Sequence, residues 1–311
     1  MVMRRQRGIA VVTALLVTTL AVTSVTSLFW LQQVQMRATE NQRQQLQSLW
    51  IMRGLLDMGR ALLAQDLAAS PNYTQLNGIW AQPLRGIPLD SYIDRPRSEG
   101  DGFPASASGR ILDAQSRFNL ANLAQHTVID QQQVRMLERL LATLRVDPAL
   151  ALAVAAQVAS GQRAMAAGGM GLPPQALALL EVEDLLAVSG FTPAAIDKLR
   201  AFLVALPQPT PLNVNTAPAE LLAALVDNLP LEEAAAIVKN RQRIYYRTLN
   251  EFDALPQIAG AHRARAVDAG VKSDFFLALG QVRLDRTALD TQALLWRRVD
   301  GAITILRMQD N

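Results

Sequence analysis

Hydrophobic and polar positions divide the chain into three regimes. From Ile9 to Leu31 run 23 residues without a charge. At about 1.5 Å per residue such a helix reaches about 35 Å, enough to cross about 30 Å of hydrocarbon with some tilt. Beyond it the pattern becomes one-sided. Leu46, Leu49, Trp50, Leu56 and Leu63 recur at roughly three- and four-residue intervals among Gln, Arg and Asp, and no Gly or Pro intervenes before Gly54. The spacing predicts one continuous rod ending near Ser70-Pro71, with an apolar lower half and an amphipathic upper half whose Leu stripe faces a core.

The second regime is irregular and then helical. Residues 78–109, GIWAQPLRGIPLDSYIDRPRSEGDGFPASASG, are rich in Gly, Pro, Ser and Asp and predict turns joining short extended pieces. Arg110 to Asp113 fits a strand leading into Phe118-Asn119-Leu120. From about 130 to 270, Ala- and Leu-rich segments are separated by Pro or Gly, as expected of an all-helical block long enough for its own core. Val134, Leu137, Leu140, Leu141 and Leu144 keep helical spacing, and Thr192 before Pro193 supplies a cap with Pro at the first helical position. The third regime, 271–311, returns to Val, Ile, Leu, Phe and Trp, with Asp300-Gly301 between two apolar runs as a hairpin signal. These strands would pair with the pieces before residue 113, closing a sheet only after the helical block has been traversed.

Charge fixes the orientation of the rod. Arg4, Arg5 and Arg7 precede the apolar run, which keeps the short N-terminal end in the cytoplasm and sends the body across. The run is longer than a secretory signal core, and SVTSLFWLQQ after it has no A-x-A cleavage pattern. Catalytic chemistry finds little to work with. There is no Cys, so no thiol nucleophile, and His126 and His262 are the two histidines. No G-x-S-x-G, Walker loop, H-E-x-x-H or G-x-G-x-x-G occurs, and GDG at 100–102 and AAGGMGLPP at 166–174 fit loops. The reading is of a protein that is not an enzyme.

Arg7-Gly8-Ile9 ahead of the apolar run resembles a type IV prepilin leader. By that resemblance a prepilin peptidase cuts after Gly8, and Ile9 becomes the methylated first residue of the mature chain. Removing residues 1–8 takes away three arginines and no acid, so the formal charge falls from +3 to 0, which argues against general nucleic-acid binding by the body. Thr13 stands at the fifth mature position, where most pilins carry a Glu that neutralises a neighbour's amine; a subunit without it suits the end of a stack. WAQPL at 80–84, the piece from Gly109 to Asp113 and RFNLANL at 117–123 narrow the likeness to the type II secretion protein K family of minor pseudopilins.

That resemblance implies an α+β, type IV pilin-like fold, a long N-terminal helix on a small antiparallel sheet, carrying a large inserted all-α domain with a SAM-like helix-hairpin-helix unit. It divides the chain into a leader (1–8), a transmembrane helix (9–31), spine and first part of the sheet (32–129), the inserted helical domain (130–270) and the completing strands (271–311). It implies a single-pass inner-membrane protein with a periplasmic body. With the minor pseudopilins I and J, the major pseudopilin and the peptidase as partners, it caps the tip of a pseudopilus that supports export of folded proteins. Family members bind calcium. Here the oxygen-rich candidates are Asp90, Asp94, Glu99 and Asp101, with Asp113 and Asp274 near them in the folded sheet, although Arg95 and Arg97 offer the same acids ion pairs.

A competing reading rests on PLNVNTAPAELLAALVDNLPLEEAAAIVKNRQRIYYRTLNEFDALP (211–256), which resembles the helix-hairpin-helix of DNA receptors and would make the chain a membrane-anchored DNA-uptake protein. Its turn, Asn228 to Glu233, has no Gly, contains a Pro without an N–H and adds two acids where a phosphate would sit. Lys239, Arg241, Arg243 and Arg247 fit a solvated helix face, and Asn213, Asn215 and Thr216 fit caps for the helix starting at Pro218. A third possibility, a minor pilin of a long surface fibre, is disfavoured by the size of the helical block.

Overall fold

A computed structural model of the chain describes residues 7–89, 105–162, 164–165, 171–172, 174–259, 269–284 and 287–310. Helix α1 (Arg7–Ala69) is unbroken over 63 residues. Only its upper part is covered. Ser48, Met52, Leu56, Leu63 and Asp66, at helical spacing, turn to the sheet and are buried. The Leu stripe therefore divides. Leu56 and Leu63 lie in the core, whereas Leu46, Leu49 and Trp50 are 52%, 43% and 70% exposed, because they sit around the helix from the Ser48–Met52 line that meets the sheet.

The sheet has five antiparallel strands in sequential order: β1 (Leu84–Pro88), β2 (Ser106–Asp113), β3 (Phe275–Leu284), β4 (Thr287–Arg297) and β5 (Ile303–Asp310). The hairpin at Asp300-Gly301 forms, with Gly301 at φ +83°, where an L side chain would be strained. Strand β2 pairs with β3, with Gly109 opposite Gly280 and Asp113 opposite Phe276, and among the described residues every α-helix after α1 lies between these two strands in the chain.

Alternation along the strands gives the sheet two apolar faces. Ile111, Phe276, Ala278, Ala293, Leu295 and Ile303 pack against Leu56, Leu63 and Trp80 on the spine side. Phe275, Leu277 and Leu294 point the other way, against Ala114, Val204 and Leu206. The helical body thus covers the face opposite α1. It contains α2 (Gln131–Thr143), α3 (Leu150–Ser160), α4 (Pro193–Leu199), α5 (Ala219–Leu225), α6 (Leu231–Arg241) and α7 (Leu249–Asp253). Its apolar cluster includes Val134, Leu137, Leu140 and Leu141 as spaced in the sequence, and it starts at Phe118, Leu120 and Leu123, ahead of residue 130. Two caps explain where helices begin: Asp130 accepts from the N–H groups of Gln132 and Gln133, and Thr192 from that of Ala195 ahead of α4.

Candidate functional site

Gly8 and Ile9 lie at the start of α1. Above them Thr13, Thr18, Thr19, Thr23, Ser24, Thr26 and Ser27 each donate a hydroxyl hydrogen to a carbonyl three or four residues back, at 2.6 to 3.1 Å. A span rich in Thr and Ser can enter hydrocarbon on those terms, because its hydroxyls are satisfied within the helix. This is one helix long and apolar enough to cross a membrane, and it fits a single-pass anchor.

The calcium candidates Asp90, Asp94, Glu99 and Asp101 lie outside the described residues. Among the described residues no group of three or more His, Cys, Asp or Glu side chains is placed to hold a metal ion. Asp113 is committed elsewhere. It is 2% exposed; Oδ1 accepts from the Gln115 N–H at 2.8 Å, and Oδ2 from Ser273 Oγ and Thr216 Oγ1 at 2.6 Å each and from Asn213 Nδ2 at 3.0 Å. Four protein donors occupy the lone pairs that a cation would need. Asp274 is likewise engaged through its backbone, its N–H donating to Gln115 Oε1 and its carbonyl accepting from the Arg297 N–H.

Asp113 is the centre of a buried polar joint where spine, sheet and helical body meet. Asn213 Nδ2 also reaches the Thr74 carbonyl and Ser273 Oγ. Arg297, 1% exposed on β4, donates to Thr74 Oγ1 at 2.9 Å and to the Ser273 carbonyl, lies 3.5 Å from Asp66 Oδ2 and stands 5.0 Å above the Phe276 ring. Burial pushes both carboxyls above their ordinary range, against the donors around Asp113 and the charge of Arg297 beside Asp66; it also pulls the Arg297 guanidinium down. Two further ties run from the loop after α1 to the body: Tyr73 and Tyr245 stack at 4.9 Å, and Asn77 donates to the Gln242 carbonyl.

The NVNT segment therefore does not serve as the caps expected of it. Thr216 spends its hydroxyl on Asp113, and α5 starts after Pro218 with no side-chain cap. Asn215 instead clasps the backbone of Tyr246, accepting from its N–H and donating to its carbonyl at 2.8 Å each, while Asn213 Oδ1 makes a local turn bond, accepting from the Asn215 N–H. An unscreened buried carboxylate outcompetes a solvent-accessible helix end for the threonine hydroxyl. The asparagines of RFNLANL also bridge distant backbone. Asn119 holds Gln208, Thr210 and Leu206, and Asn122 exchanges two bonds with the backbone of Thr210, so both pin 206–210 under the sheet.

Helices α5 and α6 do form a helical hairpin. Asn228 takes the left-handed conformation, φ +59°, at its turn. Glu232 and Glu233 occupy the first turn of α6, where a bound phosphate would be repelled. Of the basic run, Arg241 is not on a solvated face. It is 5% exposed and donates to the carbonyls of Val214, at 2.6 Å, and Ala217, and burial lowers its pKa to about 10. Lys239, Arg243 and Arg247 are exposed. Asp66 and Arg297 carried one faint sequence signal: Asp66 continues the Met52–Leu56–Leu63 line, an acid at a core position.

Two family models, both described as type II secretion system protein K, match residues 116–208 and 212–272. Type II secretion system protein K of Pseudomonas aeruginosa is 27% identical, over 97% of this chain and 92% of its own length. The Aeromonas hydrophila protein of that name is 25% identical over 98% and 97%, and that of Klebsiella pneumoniae 27% over 94% and 93%. Among solved structures, a chain of the GspK-GspI-GspJ complex from enterotoxigenic Escherichia coli superposes with TM-score 0.67 at 20% identity, covering 88% of this chain and 99% of that one. At that identity the likeness concerns the fold, a pilin-like spine and sheet carrying a helical body.

Proposed function

Because the chain belongs to the type II secretion protein K family, we propose that it is a minor pseudopilin that caps the tip of the periplasmic pseudopilus, bound to the minor pseudopilins I and J, and so supports export of folded proteins across the outer membrane. The observation that carries this reading is the division of α1. Its lower half, up to Trp50, presents apolar side chains to the outside, while its upper half is sealed beneath a sheet that bears a bulky helical body on its other face. An apolar helix face of that extent asks for neighbouring helices or lipid. The body is oversized for a subunit that must accept another above it.

The remaining assignments follow from the same premise. The prepilin peptidase cuts after Gly8, Ile9 is methylated, the N-terminus is cytoplasmic and the body periplasmic, and the major pseudopilin lies beneath. Thr13 in place of an acid suits a terminal subunit, since no carboxylate there waits for a neighbour's amine. No chemical step is assigned to the protein. The acidic segment with Asp90, Asp94, Glu99 and Asp101 is the place for calcium.

Intact mass from membranes of cells with and without the peptidase tests the pathway. A chain starting at Ile9 plus one methyl group is expected when the enzyme is present; a chain retaining Met1 to Gly8 in both would sink the reading. The DNA-receptor alternative draws little from the hairpin, whose Arg241 is spent internally and whose turn lacks glycine. Retention of the protein on duplex DNA at low salt, abolished by reversing Lys239 and Arg243, would revive it.

A further inference from the structure

The sheet and the helical body do not close completely on each other. Between them lies a chamber of 650 Å³ lined by Leu120, Val158, Leu179, Leu206, Leu294 and Trp296 among others. Ala205 and Arg307 join it to a polar recess of 360 Å³ that contains Arg117, Arg200, Glu181 and Glu183. The charges there are unequally matched. Glu183 takes Arg200 at 2.7 Å, Glu181 accepts from Gln309, and Arg307 donates to the Leu180 carbonyl. The guanidinium of Arg117, a partly buried residue, makes no hydrogen bond or ion pair among the described residues. Burial, and then Arg110 nearby, lower its pKa against the partial relief of the Asp113 carboxylate, so its cation has no anion in direct contact among the described residues.

Strand β5 runs along the mouth of this groove and ends the sheet, with β4 as its one neighbour among the described residues. Leu306 on it is 42% exposed, and Leu180, which also lines the chamber, 60%. An open edge flanked by exposed apolar side chains is a liability unless something covers it.

We propose that this groove receives an extended segment of a partner polypeptide, which pairs along β5, places an aliphatic or aromatic side chain in the chamber and sets a carboxylate on Arg117. The free edge selects a polypeptide, because only a backbone offers the complementary row of N–H and C=O groups. The chamber selects an apolar side chain, and the unmatched guanidinium selects an acid. The site is independent of the tip assignment.

The test uses the full chain in lipid nanodiscs and fluorescent, end-blocked peptides of roughly six residues, alternating valine and threonine with one leucine and one aspartate, each alongside its asparagine twin. Saturable binding is expected, weaker by about tenfold for the asparagine twins and lost on N-methylation of the peptide backbone. Arg117→Gln should erase the difference between twins, and Leu306→Glu at the exposed mouth should weaken both; far-ultraviolet circular dichroism verifies that each variant is folded, and Leu306→Glu serves alone if Arg117→Gln is not. Absence of saturable binding at millimolar peptide overturns the proposal. So does binding indifferent to aspartate, to N-methylation and to the substitutions. Displacement by decanoate with no sensitivity to N-methylation would make this an amphiphile site instead.

Discussion

Thr216 donates its hydroxyl hydrogen to Asp113 at 2.6 Å, joining residues 103 positions apart in the chain and in two different layers of the molecule. With Ser273 and Asn213 on the same oxygen, this bond fixes the helical body to the end of β2. Replacing Asp113 by Leu removes the acceptor of four buried donors and should cost about 3 kcal/mol or more, whereas Asp113→Asn, which keeps one acceptor, should cost less. Urea unfolding of both variants checks the order; equal, small losses would show that the joint contributes little.

The same carboxyl gives a pH dependence. Asp113 and Asp66 are both held above their ordinary values, by burial first. A group whose native pKa exceeds its unfolded one holds its proton more tightly when folded, so its contribution is full below the unfolded value and is lost as pH rises through the native one. The stability advantage of the native chain over Asp113→Asn should therefore shrink as pH rises through and beyond the ordinary carboxylate range. Thermal melts of the pair across that range decide it, a constant difference being the contrary result.

Arg241 and Arg243 lie two positions apart with opposite consequences. Arg241→Ala removes the donor that ties α6 to Val214 and Ala217 and should destabilise by about 2 to 4 kcal/mol, while exposed Arg243→Ala should stay within about 0.5 kcal/mol. Chemical denaturation distinguishes them directly.

The seat of the spine predicts a glycine effect. A Cβ on Gly280 would come within 2.4 Å of Met52 Sδ, whereas on Gly109, its cross-strand partner, it would meet nothing nearer than the Leu279 carbonyl at 3.7 Å. Gly280→Ala should cost about 1 to 3 kcal/mol by lifting α1, and Gly109→Ala much less. Reversed ranking in unfolding experiments would contradict the packing of Met52.

If the acidic segment with Asp90, Asp94, Glu99 and Asp101 holds calcium, chelation should lower the melting temperature, and millimolar calcium should restore it by mass action. The combined substitution of Asp90, Asp94, Glu99 and Asp101 by their amides should abolish the shift. A calcium shift surviving that substitution would move the site elsewhere.

Elements governed by short-range chemistry are legible in the sequence: the unbroken spine, the Asp300-Gly301 hairpin, and the Thr192 cap with Pro193 behind it. The return of the last strands to the first is legible too, because both ends of the chain carry strand patterns with helical ones between. The features that are not legible depend on distant partners. Thr216 and Asn213 are good caps by residue type, and nothing local shows that a buried carboxylate from another layer competes for them. Arg241 resembles its solvated neighbours until α6 is rotated into place. Leu46 and Trp50 fit an amphipathic stripe, but the sheet meets the helix along Ser48 and Met52. The groove with Arg117 arises from incomplete closure of two layers, which no periodicity encodes.

The central strand of the sheet, β3, is supplied from the far end of the polypeptide. A chain halted before Phe275 has no neighbour for β2 on that side, no Arg297 to brace the joint around Asp113, and leaves Leu56 and Leu63 facing water. A product halted before that strand therefore keeps the long helix but presents an open sheet edge and uncovered leucines in place of a closed head.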